Sequence, residues 1–302
     1  MTSTMTLPTQ RRSPRLRPRP RGKGSDRALW RTLVRDKVGL FGGILVAIIV
    51  LAAVFAPLVA PYDPTAMSSA RLSPPTAIFP LGSDEAGRDL LSRAIFGART
   101  SLLVGITVIA AASLIGVALG LLAGYYRGIL DNVTMRVMDV LFAFPTILLA
   151  LAVVAALGTA LHNLILALVI VFIPTFARIA RASAITLSQD PFVESARAIG
   201  ARDSYILVRY ILPNALAPIA VQVTISLAYA ILVEASLGYL GLGVQPPAAS
   251  WGSMLATGKA FVEISIWPSL VPGMCIFLTV LGFNLLGDAL RDSLDPRLRS
   301  RG

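Results

Sequence analysis

The chain has 302 residues, of which 55% are hydrophobic and only 14% charged. A soluble domain carries nearer a quarter charged residues, so composition excludes an ordinary water-soluble fold. The net charge of +11 does not imply nucleic acid, because much of it sits in one Pro-rich head, and the single Cys275 and single His162 exclude an intramolecular disulfide and a His/Cys metal cluster.

In chain order the first element is that head, residues 1–37. Arg11, Arg12, Arg15, Arg17, Arg19, Arg21 and Lys23 precede the first acid, Asp26. With few apolar residues to offset ordering entropy, it is expected to be largely disordered. Its basic charge suits the surface of anionic lipid, not nucleic acid, and residues 1–24 are expected to be dispensable for the chain's activity. A hydrophobic run at 38–60 follows, too long for a cleaved signal core, and reads as an uncleaved membrane anchor.

Residues 61–100 form a Pro-rich loop with Pro61, Pro64, Pro74, Pro75 and Pro80. At its end Leu90, Leu91, Ala94 and Ile95 alternate at helical spacing with Arg88, Asp89 and Arg93, which predicts an amphipathic helix lying in the membrane interface. Five more apolar runs come at 101–125, 133–157, 161–181, 214–240 and 267–289. Each approaches the ~20 residues that cross roughly 30 Å of hydrocarbon as helix. The fold class is therefore an all-α polytopic membrane protein with six transmembrane helices, the part from 101 to 290 forming its core. Gly116, Gly120 and Gly124 share one face of the second run and invite close helix packing. Pro145 and Pro174 interrupt the third and fourth runs and permit kinks. His162 falls in the turn between those two runs. Trp251 and Trp267 flank the last loop, as in an aromatic belt. A tail covers 291–302.

Lys and Arg in the loops set the orientation. With the N-terminus inside, six spans return the C-terminus inside. The outside segments then hold only Arg71, Arg88, Arg93, Arg99 and Lys259, a bias of about four to one toward the inside.

The polar stretch 190–200 then falls on the inner face, between the fourth and fifth spans. Asp190 suits a helix N-cap, Pro191 the first helical position, Glu194 the first turn and Gly200 the position after the helix. Phe192, Ala196 and Ile199 form an apolar stripe, with Glu194 and Arg197 at its sides. So short a helix is marginal in water, so something must hold it. It is either a connector resting on the inner membrane face or a helix inserted into a partner's groove.

Glu194-Ser195-Ala196, followed by Gly200 and ending in Leu212-Pro213, resembles the EAA loop of ATP-binding cassette importer permeases. That pattern reads Glu-Ala-Ala, three residues, Gly, nine residues, Ile, any residue, Leu, Pro. Ser195 replaces the second Ala, and Tyr210 stands at the Ile position. Three further segments are similar to the C-type permease of the dipeptide, oligopeptide and nickel branch. They are Gly82-Ser83-Asp84 with Gly87-Arg88-Asp89, Glu234-Ala235-Ser236-Leu237-Gly238 with Gln245-Pro246-Pro247, and Asn284-Leu285-Leu286-Gly287-Asp288 with Leu294-Asp295-Pro296-Arg297.

The resemblance implies a pathway-forming subunit of a type I importer in a bacterial inner membrane, with both termini cytoplasmic. It implies a homologous B-type permease, two ATP-binding subunits and an extracytoplasmic solute-binding protein as partners, with lipid around the spans. The helix at 190–200 would couple the path to the ATPase subunits. No Gly-x-x-x-x-Gly-Lys-Ser/Thr loop occurs, so this chain itself holds no cofactor, and ATP and Mg would be bound by the partner ATPases. Peptides are the expected solute; nickel chelates and glutathione are the alternatives within the branch.

Two acids fall inside spans, Asp139 in the third and Glu234 in the fifth. Charges at that depth are costly, so either could line the pathway or be paired, Asp139 for example with Arg136. A secondary transporter would show inverted repeats, and an intramembrane hydrolase a Gly-x-Ser-x-Gly or His-Glu-x-x-His motif; the sequence has neither.

Overall fold

The structure is a computed structural model that describes residues 36–294. The basic head and the last eight residues, and the expectations placed on them, lie outside the described residues. The elements are α1 (Lys37–Val54), α2 (Ala56–Val59), α3 (Leu90–Tyr126), α4 (Gly128–Phe142), α5 (Thr146–Leu157), α6 (Leu161–Leu187), α7 (Pro191–Ala198), α8 (Asp203–Ile206), a π-helical turn (Leu207–Ile211), α9 (Leu212–Tyr239), α10 (Trp251–Gly258) and α11 (Trp267–Leu294). Helices α1, α3, α6, α9 with its approach from Asp203, and α11 are long and apolar enough to cross a membrane.

The sixth span takes a different form from the expectation. The run 133–157 is two helices, α4 and α5, bent by 91° at a short break. Pro145 has no N–H to continue the ladder, and it sits at the N-cap of α5. Pro174 has no such effect: α6 continues through it, with the proline buried against neighbours. The difference lies in packing: Ala143 and Phe144 ahead of Pro145 are exposed and nothing clamps the chain straight, whereas Pro174 is buried within α6.

Helix α3 is the spine. Its 37 residues are roughly 55 Å long. Three buried clusters succeed one another along it. The first joins Leu90, Ala94, Ala98 and Leu102 to Trp251, Met254 and Ile276. The second joins Val104, Val108 and Ile109 to Leu168, Phe172 and Val233. The third joins Leu121 and Tyr125 to Ala184, Val193, Ile206 and Ile211. Gly116, Gly120 and Gly124 face α6 at backbone contact. A Cβ on Gly116 would stand 2.6 Å from the Ile173 carbonyl, one on Gly124 2.6 Å from the Arg181 carbonyl, and one on Gly120 would meet the Ala177 carbonyl. In a membrane such close approach replaces hydrophobic burial as the source of helix affinity. On α1, Phe41, Ile44, Ile48 and Leu51 are exposed, a surface that hydrocarbon or another apolar chain covers.

The interfacial helix expected at Leu90–Ile95 is instead the first turns of α3. Asp89 caps it, accepting from Ser92 N at 2.8 Å. Its charged residues face inward: Arg88 bonds Asp84 at 2.6 Å and Glu85 at 2.8 Å, and Arg93 approaches Asp84 at 3.3 Å. Residues 61–89 fold over this end, with Tyr62 N donating to Ser92 Oγ and Arg93 donating to the Pro64 carbonyl. The alternation was real, but its polar side is covered by the loop. Trp251 is also a core residue, 1% exposed, its indole N–H donating to the Ala94 carbonyl at 3.0 Å, so it is not part of an aromatic belt. His162 is an exposed residue in the first turn of α6.

Candidate functional site

Helix α7 hangs between α6 and α8 at one end of the bundle. Asp190 has the extended backbone of an N-cap, but its carboxylate accepts no capping bond; Pro191 starts the helix, and its missing N–H costs nothing there. The far end closes as a Schellman motif. Ala201 N donates to the Ala196 carbonyl at 3.0 Å, and Gly200 N to the Arg197 carbonyl at 2.9 Å. That closure needs a left-handed residue, and Gly200 has φ +79°.

The buried face differs from the expected stripe. Val193 and Ala196 are the residues that pack inward, at 0% and 3% exposure. Phe192 is partly exposed and Ile199 is 84% exposed. Helical periodicity identified an apolar band but not which edge of it turns inward. Arg197 lies 5.0 Å above the Tyr125 ring, and the Tyr125 hydroxyl donates to Asp203 at 2.6 Å, so α7, α3 and α8 are tied together.

The two departures from the EAA pattern have local roles. Ser195 Oγ donates to the Pro191 carbonyl at 2.7 Å, inside the helix, and so presents no free donor outward. Tyr210 stands between Phe192, at 6.1 Å between ring centres, and Tyr205, at 5.8 Å. The aromatic ring thus braces the exposed side of α7, where an Ile would contribute aliphatic contact only. Glu194 is exposed in the first turn.

The two acids within spans part company. Asp139 pairs with Arg178 of α6 at 2.6 Å, not with Arg136. Both side chains are about half exposed, at 55% and 47%. Arg178 also lies 4.1 Å over the Phe142 ring. Glu234 is enclosed, at 0% exposure, beside the hydroxyls of Ser101 and Ser250, with no hydrogen bond to either carboxylate oxygen. It belongs to the seam between α9, α3 and the start of α10, away from any surface.

Several residues escaped sequence reasoning. Arg181 makes a two-pronged bond to Asp131, 2.6 Å at its second contact, and joins α6 to α4. Gln222, Ser226 and Tyr229 recur at i, i+4 and i+7 along α9 and line a cavity at the α4–α5 break, together with Phe142, Phe144 and Thr175. That polar stripe was readable in the sequence, but it was masked by the mean hydropathy of the run.

Residues 116–300 match the family described as binding-protein-dependent transport system inner membrane component, and residues 27–75 match the N-terminal transmembrane domain of oligopeptide transport permease C. The dipeptide transport system permease protein DppC of Alkalihalophilus pseudofirmus is 43% identical over 276 residues, 91% of this chain and 90% of that protein. The di/tripeptide transport system permease protein DppC of Pseudomonas aeruginosa is 44% identical, covering 90% and 92%. The glutathione transport system permease protein GsiD of Pectobacterium atrosepticum is also 44% identical, covering 91% and 92%. Among solved structures, an inward-facing form of the MetNI methionine ABC transporter aligns with a TM-score of 0.55 and 19% identity, over 68% of this chain and 98% of that one, which supports the fold alone.

Proposed function

Since the chain belongs to the family of binding-protein-dependent transport system inner membrane components, we propose that it is the pathway-forming permease subunit of a bacterial ATP-driven peptide importer. The observation that carries the mechanism is α7. It is a short helix closed at its C-terminal end by two backbone bonds, packed inward through Val193 and Ala196, with Ile199 bare just past its last turn. Covering a bare Ile side chain is worth about 1.5–3 kcal/mol, which favours a groove in a partner as its resting place.

In this reading the groove belongs to an ATPase subunit in the cytoplasm. One of two such subunits receives α7, and the other receives the equivalent helix of a homologous B-type permease. An extracytoplasmic binding protein delivers the solute to the capped end around residues 61–89. ATP and Mg act in the ATPase subunits; this chain is not itself the enzyme. When the ATPases close, α7 moves as a body. The ties from Arg197 to Tyr125 and from Tyr125 to Asp203 pass that movement to α3 and to the long helix beginning at Asp203. Peptide is preferred over glutathione as solute because two of the relatives above carry peptide names, whereas one is named for glutathione, itself a peptide.

The test is Glu194→Lys. The charge reversal opposes the helix dipole by about 0.3–1 kcal/mol, too little to unfold the bundle. The variant is expected to reach the membrane at wild-type abundance and to lose ATP-driven uptake in proteoliposomes and co-purification of the ATPase subunits. Normal uptake and normal co-purification would sink the coupling role.

A further inference from the structure

The bend that separates α4 from α5 opens a cavity of about 190 Å³ between these helices, α6 and α9. We infer that this cavity, with the Asp139–Arg178 pair stacked on its Phe142 wall, is a contact site on the translocation path for the two charged ends of an uncapped short peptide. The inference rests on the peptide-importer reading above and deepens it, by assigning part of solute selection to this chain.

The cavity is smaller than the ~300–1,000 Å³ of a complete ligand pocket, so it takes part of a solute and not the whole. Phe142, Phe144 and Tyr229 supply apolar and aromatic wall. The hydroxyls of Thr146, Thr175 and Tyr229 have no hydrogen-bond partner among the described residues. Gln222 spends one amide N–H on Ser226 Oγ at 3.0 Å and keeps its carbonyl oxygen. Donors and acceptors of this kind match peptide N–H and C=O groups, one of each per residue. A buried wall without them would strip those groups of partners.

The charged pair adjoins the cavity through Phe142. Arg178 lies one turn beyond Thr175, its guanidinium 4.1 Å above Phe142 and 2.6 Å from Asp139. Both charged side chains are about half exposed. Each member is covered by the other on one side only, so a carboxylate or ammonium group can approach from the open side without the pair having to leave the bundle. A guanidinium is a two-pronged donor for carboxylate, and a carboxylate is an acceptor for ammonium. An uncapped peptide brings one of each. The nearby Arg181 is not available for this role, because it is held by Asp131.

The experiment uses the complete importer in proteoliposomes and three probes: Ala-Ala-Ala, its C-terminal amide and its N-acetyl form, each supplied at saturation of the binding protein. Wild type is expected to move the two capped forms about tenfold more slowly than the free peptide. Arg178→Gln should bring the free peptide down to the amide's rate and leave the amide's rate unchanged. Asp139→Asn should do the same with respect to the N-acetyl form. Stimulation of ATPase activity by the binding protein should persist in both, which reports a folded, coupled assembly. If both variants slow all three probes equally, or slow none, while wild type still transports peptide, the contact site is overturned and the peptide reading stands. If wild type transports none of the three while its ATPase responds to the binding protein, the peptide reading is overturned and this inference with it.

Discussion

At Gly200 the backbone has φ +79°, and a Cβ built there meets nothing within 4 Å. The constraint is therefore conformational and not steric. An ordinary residue in the left-handed region costs roughly 1–2 kcal/mol, whereas Asn adopts it readily. Gly200→Asn is thus expected to retain uptake near wild type. Gly200→Leu combines strain with a new apolar projection on the exposed face of α7, and should abolish uptake while membrane abundance stays unchanged. Uptake in proteoliposomes beside immunoblots of the membrane fraction checks both. Gly200 could be read from the sequence because a helix end announces itself through one residue's torsional needs. Ser195 and Tyr210 could not. Their roles depend on a carbonyl four residues back and on rings from Phe192 and Tyr205, which no local pattern specifies.

Among the elements, the ones that sequence located well are those whose signal is continuous. The runs of α1, α6 and α11 are apolar over most of their length, and the prolines inside them, Pro174 and Pro272, do not break the helix. The run 133–157 looks the same by hydropathy, yet it breaks at 91°. Pro145 and Pro174 are alike in sequence; what separates them is whether packing holds the flanks straight, and that is a tertiary fact. The glycines of α3 show the converse, where spacing alone indicated a face and the structure supplied its partner. A Cβ at Gly120 would meet the backbone of α6, whereas Gly273 in α11 faces open space. Gly120→Val should lower stability by at least the 1–3 kcal/mol typical of overpacking. Gly273→Ala should be neutral or stabilising by up to ~1 kcal/mol, since alanine is the better helix former. Thermal unfolding of the two purified variants in detergent, followed by circular dichroism, should order them in that way.

For the whole molecule, orientation is the expectation that organises the rest. By that expectation, drawn from the charge bias, α7 would lie inside and the folded loop 61–89 outside. Cysteine labelling decides it. In a Cys275→Ala background, Ser195→Cys should react with a membrane-impermeant maleimide only after the inner face is exposed. Ser69→Cys, which is exposed in the loop, should react in intact cells. The reverse pattern would turn the chain over and remove α7 from the reach of any cytoplasmic ATPase.

The chain from Asp203 to Tyr239 is 37 residues long, the same length as α3. Its π-helical turn at Leu207–Ile211 is continuous with the helices before and after it. The two rods are joined near one end by Tyr125 and Asp203, and near the other by Trp251, whose backbone N–H reaches Ser101 Oγ in α3, while Gly252 lies against Gly238 in the partner rod. Two rods of equal length, tied near both ends and packed through shared buried clusters between those ties, cannot splay at one end without breaking contacts at the other. In the coupling reading, a push on α7 would therefore meet the two rods as one body, and the far end would have to move with the near one.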